Sequence, residues 1–189
     1  MADMTRMEYV LSLSYGKDSL ACIEACKRLG YRIDRIVHAE VWATDTISAD
    51  LPPMVEFKDK ADKIIKERYG LEVERYSVGT YEEQFYTERL VKRLNEKRIY
   101  GFPIVRGNWC NSKLKIKAIE MCKSKDSIDI VGIASDEPKR IEKARQRGDI
   151  LPLVDIGWTE ADCRKWCEEN DLLSPIYTDS LRGGVLVLS

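Results

Sequence analysis

Short runs rich in Val, Ile and aromatic residues alternate along this chain with longer stretches whose apolar positions recur every three or four residues. The runs at Tyr9–Leu13, Arg35–Trp42, Glu72–Val78, Ile128–Ala134 and Ile150–Val154 predict strands. Helices are predicted at Asp18–Leu29, Pro53–Tyr69, Tyr81–Lys97, Lys113–Lys123, Pro138–Arg147 and Thr159–Asn170. In the first of these Leu20, Ile23 and Cys26 fall near one side, and Gly30 supplies the stop. The second opens with proline in its first turn and closes at Gly70, the expected asymmetry of a helix. Five strands alternating with helices predict an α/β fold, a doubly wound, mainly parallel sheet with helices on both faces. Ligands of such sheets sit beyond the carboxyl ends of the strands, so residues just after each strand are the functional candidates.

The chain has 189 residues, a length that predicts one domain. It shows no internal repeat and no linker rich in Pro, Gly or Ser. The least regular stretch, Tyr100–Asn111, predicts a loop near the site. No stretch approaches the roughly 20 apolar residues of a membrane span, and the opening residues lack the basic and apolar regions of a secretion signal. A cytoplasmic protein without a membrane partner is expected. Its formal net charge is −1, which argues against a globally basic nucleic-acid binder. Yet the segment Arg89–Lys117 holds nine basic residues (Arg89, Lys92, Arg93, Lys97, Arg98, Arg106, Lys113, Lys115, Lys117) and one acid, Glu96. A solvated helix face and a surface for a polyanion both account for that run.

After the first strand comes Ser14-Tyr15-Gly16-Lys17-Asp18-Ser19, then a helix. A turn of this kind directs unpaired backbone N–H groups and the positive end of the helix dipole at one point, which suits a phosphate. Ser14 and Ser19 add hydroxyl donors. The run is not a Walker A sequence, because Leu11 stands where its first glycine would and Asp18 follows Lys17. By residue type alone, a structural turn with Ser or Asp as helix cap remains open.

These residues resemble the S-G-G-x-D-S loop of the PP-loop superfamily, the N-type ATP pyrophosphatases and phosphoadenylyl-sulfate (PAPS) reductases, with Tyr15 in place of the first glycine. The resemblance continues in order. Trp42-Ala43-Thr44-Asp45-Thr46 stands where such proteins carry an Asp-Thr turn near the adenosine. Cys110-Asn111-Ser112-Lys113-Leu114-Lys115-Ile116 resembles a Cys-Cys-x-x-x-Lys-Val segment, with Asn111 at the second cysteine. The run from Gly132 through Asp136, Glu137 and Arg140 is similar to G-x-R-x-x-E-x-x-x-R, with Ala134 at the arginine. Leu151-Pro152-Leu153, Trp158-Thr159-Glu160-Ala161-Asp162 and Ser174-Pro175-Ile176-Tyr177 are similar to the P-L-x-x-W-[ST]-x-x-D and N-P-x-Y ending.

The resemblance implies a Rossmann-like five-stranded domain over 1–189 with a short or altered tail from about residue 179. It also implies an adenine nucleotide, ATP or a relative, bound with Mg²⁺, with Ser14, Tyr15, Gly16, Lys17, Asp18, Ser19, Asp45 and Gly132 around it. Lys115, Arg140 and Asp18 would be catalytic, the two cations neutralising phosphate charge. Asp18, and less directly Asp45, Asp136 or Glu137, would hold the metal. A cap role for Asp136 and Glu137 at the helix starting with Pro138 stays open.

The expected activity is attack at the ATP α-phosphate with pyrophosphate release, an adenylyl transfer to an acceptor the sequence does not name. Two alternatives are a sulfonucleotide reductase and a non-catalytic nucleotide-binding regulator. Against reduction, no cysteine follows Cys167, and the tail reads Gly183-Gly184-Val185-Leu186-Val187-Leu188-Ser189. Cys22 with Cys26 and Cys163 with Cys167 lie one helical turn apart and read as core thiols, so neither zinc nor an iron–sulfur cluster is expected. Cys110 lies in a loop where relatives often place a metal or cluster ligand. His38, the only histidine, reads as structural. Trp42, Trp109 and Trp158 read as core aromatics, with stacking on adenine as the alternative.

Overall fold

The computed structural model describes residues 7–91, 93–102 and 109–177. These divide into two compact units, one of 7–38, 52–74 and 123–177, the other of 39–51 and 75–122. Lys92 and Arg106 of the basic run, half of the expected loop including Pro103 and Gly107, and the Gly183–Ser189 tail lie outside the described residues.

An α/β fold is present, with a four-stranded parallel sheet. Its strands are β1 (Glu8–Ser12), β2 (Arg35–Ala39), β3 (Val73–Tyr76) and β6 (Ser127–Ile130), in the order β3-β2-β1-β6. β1 lies between β2, in register Leu11 to Ile36, and β6, in register Leu11 to Ile130. Val10, Leu11, Ile36, Val37 and Ile130 are wholly buried, as expected of unbroken apolar runs in a covered parallel sheet.

The fifth expected strand, Ile150–Val154, does not form among the described residues. Ile150 makes one parallel bridge to Ile130, and then Pro152 opens the short helix α6 (Pro152–Asp155). Proline lacks the N–H that a further ladder bond needs but suits a first helical turn.

α1 (Lys17–Leu29), α2 (Pro52–Tyr69) and α7 (Glu160–Glu169) supply Leu20, Ile23, Phe57, Ile65, Cys163 and Trp166 to the main core. α5 (Pro138–Arg147) closes on Gly148, as α1 closes on Gly30, each glycine in the left-handed conformation.

In the second unit, Tyr81–Lys97 is not one helix. α3 (Tyr81–Tyr86) ends at Thr87, and an antiparallel pair follows, β4 (Glu88–Val91) with β5 (Glu96–Ile99). The Thr87 amide and hydroxyl both donate to the Glu83 carbonyl, and Asn95 takes a positive φ in the hairpin turn. Further on, Cys110–Ile116 is a π-helix that runs into α4 (Lys117–Cys122). Val41, Trp109 and Leu114 form the small core of this unit. Trp109 donates its indole N–H to the Gly101 carbonyl at 2.9 Å.

Among the described residues no helix is long and apolar enough to cross a membrane.

Candidate functional site

The sheet reverses direction between β1 and β6: β2 and β3 extend to one side of β1 and β6 lies on the other. A crevice at such a reversal is where open α/β sheets hold ligands, and the turn Ser14–Ser19 occupies the carboxyl end of β1. Tyr15 sits there with φ of 57°, and Gly16 caps α1 in extended conformation. The turn is knit by its serines. Ser14 N donates to Ser19 Oγ at 3.2 Å, the two hydroxyls are 3.0 Å apart, and Ser19 Oγ donates to the Gly16 carbonyl at 3.0 Å. Gly16 N reaches Ser14 Oγ at 3.4 Å, and Lys17 N donates to the Tyr177 hydroxyl at 3.3 Å.

Gly132, just past β6, packs against the first turn of α1. A Cβ there would lie 2.7 Å from the Asp18 carbonyl oxygen and 2.9 Å from Ser19 Cα. Only glycine lets the end of β6 and the first turn of α1 approach so closely.

Charged groups gather around this contact. Lys17 Nζ lies 2.8 Å from Asp18 Oδ1 and 3.3 Å from Glu160 Oε2. Burial opposes the Lys17 charge, but the two carboxylates outweigh it and hold the ammonium above its ordinary value. Asp18 does not shift down in return. Burial raises its carboxyl, and Glu160 and Glu137 add to that against the pull of Lys17. Local acid therefore exceeds local base, since Arg140 is exposed and engaged by Glu137 at 2.6 Å.

Asp136 caps a helix, though not the one starting at Pro138. Its Oδ1 accepts from Glu160 N at 3.2 Å, at the start of α7. Thr159 and Asp162 complete that helix start as a capping box.

The structure thus brings Ser14–Ser19, Gly132, Asp136 and Arg140 into one unit, together with Glu160 and Tyr177. Asp45 and Lys115 belong to the other. Asp45 is exposed on a tight turn where Thr44 Oγ1 accepts from Ile47 N at 3.2 Å, and Lys115 lies half-buried in the π-helix. Glu160 lies one position after a recognisable cap, yet nothing local signals its ion pair with Lys17.

Tyr15 is wholly buried, edge-on to His38 with ring centroids 4.7 Å apart, and its hydroxyl donates to Asp62 at 2.5 Å. His38 Nδ1 lies 2.7 Å from the Leu13 carbonyl and Nε2 lies 2.8 Å from Lys58 Nζ. A carbonyl only accepts and an ammonium only donates, so the proton is on Nδ1 and the ring is neutral.

Cys22, Cys26, Cys163 and Cys167 are buried free thiols. The hydrogen bond with the Cys26 thiol, then burial, pushes the Cys22 thiol well above its usual range. Burial and then Asp18 raise Cys163 and push Cys167 up to about 12. Cys167 Sγ also donates to the Lys17 carbonyl. Among the described residues no three His, Cys, Asp or Glu side chains are grouped to hold a metal ion. Magnesium asks less, since it binds through one or two carboxylates plus phosphate oxygens and water. Asp18 offers one such carboxylate, but Lys17 Nζ engages both its oxygens, at 2.8 and 3.0 Å, so a metal there would displace that ammonium.

Comparison with protein-family models, curated proteins and solved structures finds no match to this chain.

Proposed function

We propose that the chain is a PP-loop protein of the PAPS reductase-like branch that binds an adenine nucleotide by its phosphates at Ser14–Ser19 and transfers the adenylyl group with release of pyrophosphate. The observation that carries this reading is the contact of Gly132 with Asp18 and Ser19, which brings two segments of the resemblance, Ser14–Ser19 and the run from Gly132, together where the strand order reverses. In this reading the amides at the start of α1 and the hydroxyl of Ser14 donate to phosphate oxygens, while Ser19, its proton given to the Gly16 carbonyl, holds the turn. The Tyr177 hydroxyl accepts from Lys17 N and still has its own proton to donate. Lys17 and Arg140 neutralise charge. Magnesium, if bound, would supply charge neutralisation, and Asp18 is the carboxylate that would hold it. The excess of Asp18, Glu137 and Glu160 over nearby cations supports a need for it, because a bare triphosphate would meet net negative charge.

The reductase reading gains no support from the thiols nearest the turn. Cys163 and Cys167 are buried and held protonated, whereas the attacking species is a thiolate.

Thermal unfolding with ATP, AMP, PAPS and pyrophosphate, each with and without Mg²⁺, tests the site. ATP with Mg²⁺ raises the midpoint, AMP does so least, and Ser14→Ala or Asp18→Ala abolishes the shift while leaving the circular dichroism unchanged. No shift with any ligand refutes the reading. Pyrophosphate release from bound ATP distinguishes an enzyme from a binding module.

A further inference from the structure

We propose that the second unit carries a docking surface for single-stranded nucleic acid, formed by the β4–β5 hairpin and the aromatic rings beside it. This goes beyond the nucleotide site and does not depend on it. Phe85 stands edge-to-face with both Tyr86 and Phe102, each pair of ring centroids 4.9 Å apart. Tyr86 is 65% and Phe102 75% exposed, a large solvent-facing area for rings that ordinarily go inside. Main-chain bonds fix the platform: Gly101 N donates to the Phe85 carbonyl at 3.1 Å and Tyr100 N to that of Thr87 at 3.0 Å. Arg89 lies over the Tyr100 ring at 5.1 Å.

The hairpin register sets Arg89 directly opposite Arg98. Like charges in that position destabilise a strand pair; Glu96 engages Arg98 at 2.9 Å and Glu88 engages Lys97 at 3.5 Å, both at exposed positions where a phosphate would compete with the carboxylate. Among the described residues of the hairpin, Arg89, Arg93, Lys97 and Arg98 outnumber Glu88 and Glu96. Exposed rings that stack bases, next to cations that track phosphates, are the two parts of a single-strand surface. An acidic peptide would match the charge and leave the rings without a role.

Fluorescence anisotropy of the full chain with a labelled twelve-nucleotide uridine RNA, and its deoxy counterpart, tests this. Binding is expected in 50 mM salt, with log K falling as log salt rises by about 0.7 per phosphate contacted. The pair Arg89→Glu and Arg98→Glu flattens that slope by about 1.4. Phe102→Ala weakens binding about five- to a hundredfold and leaves the slope alone. Circular dichroism of each variant establishes that the fold is intact. Either sugar supports the proposal, the tighter identifying the class bound. Failure to bind both oligonucleotides, equal binding of polyglutamate, tighter binding of a duplex, or a Phe102→Ala protein that binds as the parent does would overturn it.

Discussion

Gly132→Ala is the sharpest perturbation of the proposed site, because the new methyl meets main chain on α1 and not a side chain that could swing away. The added carbon would stand 2.7 Å from the Asp18 carbonyl oxygen and 2.9 Å from both the Asp18 carbonyl carbon and Ser19 Cα. Restoring an ordinary van der Waals separation of 3.4 Å requires a displacement of about 0.7 Å of either the β6 end or the start of α1. Overpacking costs about 1–3 kcal/mol where side chains yield, and a backbone contact places this substitution near the upper end, about 3 kcal/mol. For a chain of this length that lowers Tm by roughly 6–12 °C, a large part of a total stability of about 5–15 kcal/mol. Urea and thermal unfolding measure it, with Gly30→Ala as the comparison. Gly30 has φ of 71° and open space around its Cβ direction, so alanine there meets only backbone strain of about 1–2 kcal/mol. Where Gly132→Ala still folds, its pyrophosphate affinity falls, since the Asp18–Ser19 main chain has moved. A Gly132→Ala midpoint equal to the parent's, or a greater loss from Gly30→Ala, refutes the close approach.

Two further outcomes follow from the charges and thiols around α1. Asp18 is held above its ordinary carboxyl range by burial and by Glu160 and Glu137. A carboxyl whose folded value exceeds its unfolded value opposes folding once ionised. Its contribution is therefore intact below about pH 4 and is lost as pH climbs through the raised folded value. Asp18→Asn removes that loss, so in urea unfolding the variant gains on the parent with rising pH while losing nucleotide binding; a gap that shrinks with pH contradicts the sign. In the native protein Cys110 and Cys122, both half-buried, react with a disulfide reagent, whereas Cys22, Cys26, Cys163 and Cys167 wait for unfolding. Six fast thiols would refute their burial.

Helices with both a start and a stop signal were legible from residue type alone. α1, α2, α5 and α7 lie within a residue of their expected limits, because Pro138, Thr159, Gly30 and Gly148 act locally. The stretch after Tyr86 was not, since Leu90, Val91 and Leu94 suit a helical period as well as a strand and the break is set by the distant partners of Thr87 and Phe85. Pro152 inside the expected last strand was a readable warning. At the site the turn and Gly132 stood out in sequence, but the pairing of Lys17 with Glu160 and of its amide with Tyr177 spans more than 140 positions and has no local trace.

Tyr15 shows why a glycine pattern and the geometry behind it should be read separately. The position demands a left-handed backbone, where glycine is at ease and any other residue meets a penalty of about 1–2 kcal/mol. Here an aromatic ring takes that position and is wholly buried against His38, which stabilises by about 1.5–3 kcal/mol. The hydroxyl bond to Asp62 contributes about 1 kcal/mol more. Packing thus offsets the backbone penalty, and the turn keeps the φ that glycine would adopt. In the proposed function a phosphate would meet main-chain amides and a serine hydroxyl, whose directions depend on that φ and not on the side chain attached to it. Tyr15 therefore anchors the turn from below, through His38, Lys58 and Asp62, and leaves the left-handed φ in place.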